Sequence, residues 1–383
     1  MTILPITEGI NAKAVAINDL GQIVGVDRSQ RAWVWEYTSD GQWSAVQLPG
    51  LTEYHTEVKD INDLGQLVGS SGLGPFPWER HATLWQKDNS GAWKITDLGA
   101  LGVDNSVAYA INNHTQIVGW SGTSNGHHAF VWENNMMTDL GSLSVESPYS
   151  QAKDINDYGL IVGHSNDPCN TNNHTAVIWK KQYDETWQLI DIDSENSIPG
   201  WGVSRAFHVN NAGLVAGETY ISNYGAFVWS DTQGLRLLPL LQNANEAAVN
   251  RKIKALNEKG DLIGISRVSI NNMLNYHASL WKIPTDKLPA SELIVDIQNK
   301  VTELVDLTIL DQGQATALNN SLGMTEQLLE EQRFKPAIGL IRAFNNKVLA
   351  LVKARQLTEE EGNILVDAAQ VVINEIESNV NGS

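Results

Sequence analysis

The stretch Ala14-Val15-Ala16-Ile17-Asn18-Asp19-Leu20-Gly21-Gln22-Ile23-Val24-Gly25 decides the fold, because the sequence repeats it along the chain. Five further copies occupy residues 58–69, 108–119, 152–163, 206–217 and 253–264. Each copy is followed by an apolar run that closes on tryptophan, at Trp35, Trp85, Trp132, Trp179, Trp229 and Trp281. Successive tryptophans lie 50, 47, 47, 50 and 52 residues apart. A period of that length is typical of a repeat architecture.

Within each copy two short apolar runs flank Asn-x-x-Gly, which is the pattern of two antiparallel strands joined by a tight turn. Asparagine and glycine suit such a turn because both tolerate positive φ at low cost. The third copy has Thr115 in place of the glycine. We therefore expect either a different turn or local backbone strain at that position.

A third strand ends on the tryptophan, and most repeats add a fourth run that closes on Leu-Gly or Leu-Pro, as at residues 46–49 and 95–99. One repeat is therefore a four-stranded antiparallel sheet. Sheets of this kind bury both faces when they stack around an axis as the blades of a β-propeller. We expect the six tryptophans to be packing anchors between blades and not ligand-binding groups.

The sixth copy reaches Trp281 and then continues into Lys282-Ile283-Pro284 without a fourth strand. The first nine residues of the chain have the pattern of that missing strand. We predict that the strand around Ile3 to Ile6 closes the sixth blade, which leaves fewer free sheet edges. The predicted fold is an all-β six-bladed β-propeller over residues 1–284, followed by a second domain over residues 285–383.

The segment after Pro284 lacks tryptophan, and its apolar residues recur at helical spacing, which predicts a small all-α helical bundle. The predicted apolar faces are Leu293, Ile297, Val301, Leu304 and Val305; Leu318, Leu322 and Leu329; Ile341, Phe344, Val348 and Leu351; and Leu365, Ala368, Val372 and Ile376. Pro336 suits a first helical turn, and Thr358 to Glu361 has capping-box spacing. Gly323 is expected to end a helix early.

Composition limits the classes of partner. The 383-residue chain carries a net charge of −18, and its pI is about 4.8. This argues against nucleic acid or an anionic membrane as partner. No run of about 18 apolar residues predicts a spanning helix, and the amino terminus lacks the pattern of a signal peptide. The single cysteine, Cys169, forms no intrachain disulfide.

The repeats resemble the bacterial HAF-repeat family, on His128-Ala129-Phe130 and on altered forms at residues 81–82, 226–227 and 277–278. The resemblance covers most of the first 284 residues and implies a propeller in an extracellular or periplasmic protein. The last segment resembles a helical module appended to many exported bacterial proteins. That second resemblance is carried by residues 340–344, 348–351, 357–358 and 365–369. It implies a spacer, a docking surface or a homodimer contact.

In a propeller, the loops between second and third strands and the loops between blades emerge on one face around the central channel, here called the loop face. The Asn-x-x-Gly turns emerge on the other, the turn face. The loop-face segments are long and varied, so function is expected there. The predicted ligand-binding residues are Trp78, Arg80, Trp120, His127, Trp201, Tyr220, Tyr224, Arg267 and Tyr276. Aromatic faces stack on flat ligands and arginine binds carboxylates, so the expected partner is a glycan, a small molecule or a protein. The alternative is an ordinary loop surface whose aromatic residues fill gaps.

Equivalent positions in the repeats suggest acid–base groups. Two residues before the turn asparagine stand Asp60, Asp154 and His208, which either line the channel or cap turns. Directly after each Val-Gly pair, or its equivalent, the residues include His164 and Glu218. If the protein is a lyase, hydrolase or cyclase, its acid and base are expected among His164, His208, Glu218, Asp60 and Asp154.

Other catalytic patterns are missing from the sequence. The stretch from His164 through Cys169 to His174 fits no standard zinc spacing, so no metal and no cofactor is predicted. There is no nucleophile elbow, phosphate loop or dinucleotide fingerprint. The sequence favours a ligand-binding propeller with a helical assembly module and leaves an enzyme as the alternative.

Overall fold

The structure, a computed structural model, describes residues 4–5, 11–38, 40–167, 173–182, 186–192, 203–219, 225–231, 233–238, 251–270, 273–283 and 290–381. The chain divides into two compact units, Met1–Ile283 and Pro284–Ser383. The first unit is built from antiparallel sheets whose strands follow chain order, and the second from helices.

Six sheets form the blades of a β-propeller, as the repeats predict. Blade 1 has β1 (Ala12–Ile17), β2 (Ile23–Asp27), β3 (Ala32–Tyr37) and β4 (Trp43–Gln47). Blade 2 has β5 (Thr56–Ile61), β6 (Leu67–Gly72), β7 (Arg80–Lys87) and β8 (Trp93–Asp97). Blade 3 has β9 (Ser106–Ile111), β10 (Ile117–Thr123), β11 (Gly126–Glu133) and β12 (Met136–Asp139). Blade 4 has β13 (Ser150–Ile155), β14 (Ile161–Asn166), β15 (His174–Lys181) and β16 (Trp187–Asp191). Blade 5 has β17 (Ser204–Val209), β18 (Val215–Thr219), β19 (Gly225–Ser230) and β20 (Gly234–Leu237). Blade 6 has β21 (Arg251–Leu256), β22 (Asp261–Ile270) and β23 (Met273–Lys282) within the described residues.

The turn asparagine has a different role from the one its backbone tolerance suggests. Positive φ falls on the glycine, as at Gly65 (72°) and Gly213 (73°), and not on the asparagine. Asn112 Oδ1 accepts hydrogen bonds from the backbone N–H groups of His114 and Gln116, at 3.0 and 2.9 Å. Its Nδ2 donates to the backbone carbonyl of Asn156 in the next blade, at 3.0 Å. Asparagine therefore satisfies its own turn and ties that turn to its neighbour.

This bond between blades recurs around the channel as an asparagine belt. The belt consists of Asn18, Asn62, Asn112, Asn156, Asn210 and Asn257, each of the first five donating to the carbonyl of the next at 2.9 to 3.1 Å. Because a buried carbonyl without a donor is costly, these bonds fix the spacing of neighbouring first strands.

Thr115 keeps the turn of the other copies and carries strain. Its φ is 62°, in the left-handed region that favours glycine. Its N–H donates to Asn112 O at 3.2 Å, matching the bond from Gly65 N to Asn62 O at 3.1 Å. Of the two expected outcomes at this position, the strain is therefore the one that occurs.

A second recurring bond between blades was not anticipated from the sequence. Ser106 Oγ accepts the N–H of Ala82 in the preceding blade at 2.8 Å and donates to Gly99 O at 2.6 Å. The hydroxyls of Thr56, Ser150 and Ser204 accept the equivalent N–H groups of Ala32, Ala129 and Ala176. The hydroxyl stands six residues before the turn asparagine, and we call this contact the hydroxyl clasp.

The six repeated tryptophans are packing anchors, as predicted, and are at most 8% exposed. Trp85 Nε1 donates to Pro49 O at 2.7 Å and Trp179 Nε1 to Leu140 O at 2.9 Å, each a carbonyl just after the fourth strand of the preceding blade. Trp35 Nε1 donates in the same way to Pro5 O, at 2.6 Å. Pro5 thus takes the place that follows a fourth strand at the end of blade 6. Of the predicted strand from Ile3 to Ile6, Leu4 and Pro5 are described and lie in no strand, while Ile3 and Ile6 lie outside the described residues.

Each first strand carries a register shift, or β-bulge, three residues before the turn asparagine. The bulged residues are Val15, Lys59, Tyr109, Lys153, Phe207 and Lys254. The first strands are neighbours of one another around the axis. Bulges re-aim side chains, and in five of the six blades the bulged residue has a long side chain.

The second unit contains α1 (Ala290–Asp306), α2 (Gln312–Glu330), α3 (Phe334–Lys353) and α4 (Glu359–Asn381). The predicted apolar faces pack into one core, with Ile341, Phe344 and Val348 fully buried. Pro336 lies in the first turn of α3. The predicted capping box is present, because Thr358 N donates to Glu361 Oε2 and Glu361 N donates to Thr358 Oγ1. The expectation for Gly323 was wrong: α2 continues through it to Glu330, since one glycine destabilises a helix by only about 1 kcal/mol.

Candidate functional site

The two mouths of the channel differ in charge and in how far their polar side chains are already hydrogen-bonded. The turn-face mouth holds a cavity of about 210 Å³, lined by four of the belt asparagines, Asn18, Asn62, Asn112 and Asn156, and by the residue that follows each of the six. Four of the following residues are acidic: Asp19, Asp63, Asp157 and Glu258.

Three of these four turn-face carboxylates accept a backbone N–H from a neighbouring blade. Asp63 Oδ1 accepts the N–H of Asp19 in the preceding blade at 2.9 Å, and Asp157 Oδ1 accepts that of Asn113 at 2.9 Å. Glu258 Oε2 accepts the N–H of Asn211 at 2.9 Å. The cavity is therefore lined by groups that hold the turns together.

Asp60 and Asp154, two of the predicted acid–base residues, lie deeper on the same side of the channel. Asp60 Oδ2 accepts the N–H of Ile111 at 3.0 Å, and Asp154 Oδ2 accepts that of Val209 at 3.0 Å. Each carboxyl thus bridges two blades. Burial raises the pKa of Asp60 to about 6 and that of Asp154 to about 8, against the lowering effect of these hydrogen bonds.

His208 accompanies Asp154, with 3.9 Å between its Nδ1 and Asp154 Oδ2. Burial lowers the pKa of His208 to about 4, so the imidazole is neutral at physiological pH. Of these three residues, Asp60 lines the turn-face cavity, and its charge acts on Asp154. Asp60, Asp154 and His208 are separate from the aromatic residues of the loop face, and the two carboxylates accept hydrogen bonds from backbone N–H groups of the next blade.

The loop-face mouth carries a succession of rings that we call the aromatic ladder: Trp120, His127, Tyr149, His174 and His164. Ring centroids are 4.7 Å apart from Trp120 to His127, 5.9 Å from His127 to Tyr149 and 5.0 Å from Tyr149 to His174. His174 and His164 meet edge to face at 5.2 Å. Trp120 and His127 lie on β10 and β11 of blade 3, and His164 and His174 lie on β14 and β15 of blade 4. Tyr149, from the segment between the two blades, forms a β-bridge with His127.

Trp120 and His164 have space because each faces an alanine across the sheet. Trp120 pairs with Ala129 and His164 with Ala176, the alanines of the repeated motif. Both large side chains are nearly buried, at 6% and 4% exposed, while His127, Tyr149 and His174 are half-buried. The ladder therefore offers partly exposed ring faces on a fixed base.

Basic side chains surround the ladder. Arg80 Cζ lies 6.0 Å from the Trp120 ring centroid, within cation–π range. Lys153 Nζ lies 3.9 Å from the ring centroid of Tyr109, whose hydroxyl accepts Trp120 Nε1 at 3.1 Å. The charge of Arg205 acts on Tyr149, His164 and His174 and shifts their pKa values.

The histidines of the ladder are neutral at physiological pH, so its positive charge comes mainly from Arg80 and Arg205. Burial lowers the pKa of His127 and His174. Burial, with the charges of Lys153, His174 and Arg205, holds the pKa of His164 well below its usual value. The Nδ1 atoms of His164 and His174 are buried and have no hydrogen-bond partner within the described residues. Buried nitrogens of this kind are normally satisfied, and a ligand hydroxyl is a suitable partner.

Glu218 bridges blades 5 and 6, since its Oε1 accepts the N–H of Ile253 at 3.2 Å. Burial raises the pKa of this carboxyl, while that bond and the charges of Lys252, Lys254 and Arg205 oppose the shift. Like Asp60 and Asp154, it has a structural bond that accounts for its position.

The remaining predicted ligand-binding residues are less informative. Trp78 is 59% exposed and stacks on Phe76 with ring centroids 4.9 Å apart. Arg267 and Tyr276 pair across β22 and β23, and their side chains lie outside the described part of the chain. Trp201, Tyr220 and Tyr224 lie entirely outside it.

Three functional side chains were missed from the sequence: Tyr109, Lys153 and Arg205. Tyr109 and Lys153 share the bulged position, three residues before the turn asparagine, where long side chains recur in five blades. Comparing that column would have identified them. Arg205 directly follows Ser204, the hydroxyl residue six positions before the turn asparagine. Its position could have been noticed only if that recurring hydroxyl had been recognised in the sequence.

No group of three or more His, Cys, Asp or Glu side chains arranged to hold a metal ion occurs among the residues described above. Cys169 lies outside them. None of the described helices is long and apolar enough to cross a bilayer.

Fold and site together define a six-bladed β-propeller with a ring-lined, basic loop-face mouth. Comparison with known protein families gives no match, and neither does comparison with curated proteins. Among solved structures, the crystal structure of Citrobacter koseri AztD is similar over 71% of this chain and 89% of that chain, with a TM-score of 0.32 and 10% sequence identity. A likeness of that degree carries no argument about the ligand or activity of this chain.

Proposed function

We propose that the protein binds an anionic ligand with a ring-shaped apolar face, such as an oligosaccharide of uronic acids, at the loop-face mouth of its channel. The observation that carries the proposal is the aromatic ladder flanked by Arg80, Lys153 and Arg205. Ring faces stack on the apolar face of a sugar, and guanidinium groups bind carboxylates.

The charge distribution of the chain supports an anionic ligand. A protein of net charge −18 repels anions over most of its surface. Its turn-face mouth is acidic, whereas the loop-face mouth gathers basic side chains. An anion approaching the channel therefore finds its favourable potential at the ladder.

The two unpartnered histidine nitrogens support a ligand that also carries hydroxyls. His164 Nδ1 and His174 Nδ1 lie among the rings on which the ligand would stack. A sugar hydroxyl can donate to a neutral imidazole nitrogen, so binding would relieve the cost of leaving these atoms unsatisfied.

Calorimetric titration with trigalacturonate, and with galactotriose as its uncharged match, tests the proposal. We expect the acidic trisaccharide to bind and the neutral one to bind at least about tenfold more weakly, because charge-assisted hydrogen bonds contribute about 1.5–3 kcal/mol. Binding that does not distinguish the two would contradict an anionic site.

Matched variants locate the site. His127→Ala and Arg80→Gln are expected to weaken trigalacturonate binding about tenfold each, the usual cost of removing a central contact. His114→Ala, at a turn tip, and Lys180→Gln, on an outer strand beside Asp231, are the controls and should leave affinity unchanged. Equal losses from variants and controls would place the site elsewhere.

The acid–base residues do not favour the enzyme alternative. Asp60, Asp154 and Glu218 each accept a backbone N–H of the next blade. These bonds account for three of the five residues without catalysis, so a binding protein is the function the geometry supports best.

The finer assignments from resemblance belong to the same proposal. Similarity of the repeats to the HAF family supports an extracellular or periplasmic bacterial protein. Similarity of the helical unit to an appended module supports homodimer formation. Cell fractionation and light scattering of the purified protein test these two points separately.

A further inference from the structure

We propose that Lys153 is a reactive amine that forms an imine with an aldehyde or ketone group of the anionic ligand, an inference that rests on the loop-face site proposed above. The reactive atom is Lys153 Nζ, on the bulged residue of β13.

The neighbours of Lys153 hold its amine in place without neutralising it by an ion pair. Nζ donates to Gln151 Oε1 at 2.6 Å, and Gln151 Nε2 donates to the Tyr149 hydroxyl at 2.8 Å. On its other side Nζ lies over the Tyr109 ring, 3.9 Å from the centroid. Within the described residues no carboxylate lies in ion-pair range of it. Lys59, at the equivalent bulge of blade 2, does have such a partner, Glu57 Oε1 at 2.5 Å.

The charged and titratable groups around Lys153 favour a neutral amine. Burial first, and then the positive charges of Arg205 on β17 and Lys59 on β5, lower the pKa of Lys153 to about 7. His164 on β14 and Tyr109 on β9 also face it, and both are neutral at physiological pH because burial disfavours their charged forms. A half-buried lysine beside other cations is the usual setting of an amine nucleophile.

Lys153 connects directly to the aromatic ladder. Gln151 links it to Tyr149, and Tyr109 links it to Trp120. A ligand stacked on the ladder with its carboxylate directed at Arg205 or Arg80 therefore brings neighbouring atoms toward Nζ. A carbonyl next to an acidic group, as in an α-keto acid or the open-chain end of a uronic acid, is the chemical class that fits.

The step is balanced without any redox partner. The Nζ lone pair forms a bond to the carbonyl carbon, and the carbonyl oxygen takes up the proton that the nitrogen loses. The resulting hydroxyl takes a further proton from solvent and leaves as water. The product is the protonated imine, which carries one hydrogen on nitrogen.

Reductive labelling tests the proposal on the full, unmodified chain. Glyoxylate, the smallest anionic aldehyde, is supplied with sodium cyanoborohydride at pH 7, and each lysine is quantified by peptide mass spectrometry. Lys94, whose side chain is 64% exposed, is the internal reference. We expect Lys153 to label at least about tenfold faster, because an ordinary lysine with a pKa near 10.4 is almost fully protonated at pH 7. Equal or slower labelling of Lys153 would overturn the proposal.

The pH profile and a neutral probe distinguish a lowered pKa of Lys153 from attraction of the anionic aldehyde to the site. Labelling of Lys153 should level off above pH 7, whereas labelling of an ordinary exposed lysine rises through pH 9. Propanal, which has no charge, should show a smaller preference for Lys153 than glyoxylate does. Arg205→Gln should slow labelling of Lys153 at pH 7 and not at pH 9. If that variant does not fold, the pH profile of the wild-type protein is the test. Identical profiles for Lys153 and Lys94 would contradict the proposal.

Failure of this inference can be told apart from failure of the proposed function. Trigalacturonate binding without selective labelling would leave the loop-face site standing and remove the reactive lysine. Selective labelling without trigalacturonate binding would retain the reactive lysine and show that the proposed ligand class is wrong.

Discussion

At each Asn-x-x-Gly turn one residue carries the backbone conformation and another carries the hydrogen bonds. Gly213 has φ of 73°, and an added Cβ there would meet nothing within 4 Å. Asn210, at the start of the same turn, donates to the next blade and accepts within its own turn. The two requirements explain why both residues recur.

Gly213→Ala should lower the free energy of unfolding by about 1–2 kcal/mol, because only the left-handed backbone penalises the new side chain. Thr115→Gly should raise it by up to about 1 kcal/mol, reduced by loss of the hydrogen bond from Thr115 Oγ1 to Gln66 Oε1. Urea denaturation of both variants measures the difference. Gly213→Ala as stable as the wild type would contradict the assigned φ.

The raised pKa of Asp154, about 8 against an ordinary 3.8, makes stability depend on pH. Between these values the folded state binds the proton and the unfolded state does not, so stability falls as pH rises toward 8. The slope is at most about 1.4 kcal/mol per pH unit for this carboxyl, and Asp60 adds to it below pH 6. Asp154→Asn should remove this contribution, so the stability of the variant relative to the wild type should rise with pH between pH 6 and pH 8.

Asp88→Asn is the control for that pH dependence. Hydrogen bonds from Ser90 and Ala92 lower the pKa of the exposed Asp88 to about 2, outside the measured window. Its substitution should leave the pH profile of the melting temperature unchanged. An Asp154→Asn profile that also follows the wild type would show that this carboxyl is ionised in the folded protein.

At the scale of the strand and turn, the blades are joined by the asparagine belt and the hydroxyl clasp. The clasp runs between blades 1 and 2, 2 and 3, 3 and 4, and 4 and 5. The equivalent position in blade 6 is Arg251, which has no hydroxyl. Blade 6 is therefore attached by fewer of the recurring bonds.

Asn112→Ala should destabilise the protein by about 2–4 kcal/mol, because it leaves Asn156 O without its donor and two turn N–H groups without their acceptor. Asn257→Ala is the matched comparison. Within the described residues its Nδ2 donates only to Asp261 in its own turn, so its loss should be smaller by about 1–2 kcal/mol. Thermal or urea unfolding measures both, and equal losses would contradict the role of the belt between blades.

The blades could be predicted from the sequence because their signal is periodic and local. Trp35 and its five counterparts mark the third strand of each blade, and the Asn-x-x-Gly turns mark the hairpin between its first two strands. The order of the strands could therefore be predicted directly. The binding site could not be predicted as well. Its ladder joins His127, Tyr149 and His174 from three different segments, and their contact depends on how two blades stack. The position of Lys153 depends on a bulge, and a backbone shift of one residue leaves no compositional trace.

At the scale of the whole molecule, we expect the ring to be closed by the two ends of the repeat array. The bond from Trp35 Nε1 to Pro5 O repeats the bond that links Trp85 to Pro49. Removing residues 1–9 should therefore expose the edge of blade 6. We expect faster hydrogen exchange in β21, β22 and β23, and unchanged exchange in β9 to β12. Uniform exchange in all blades after truncation would contradict closure by the amino terminus.

The channel itself is polarised along its axis. Carboxylates gather at the turn face, where they bind backbone N–H groups, and basic side chains gather among the rings at the loop face. Because of this separation, we expect the proposed anionic ligand to bind only at the loop-face mouth. It also predicts that binding weakens with added salt, because half-exposed charges are screened over about 8–10 Å at physiological ionic strength.

The most direct test is a crystal structure of the full chain grown with trigalacturonate. The account predicts density stacked on His127 and Tyr149, with a carboxylate within hydrogen-bond distance of Arg80 or Arg205. Ligand density in the turn-face cavity or on the outer strands, with the ladder empty, would contradict it.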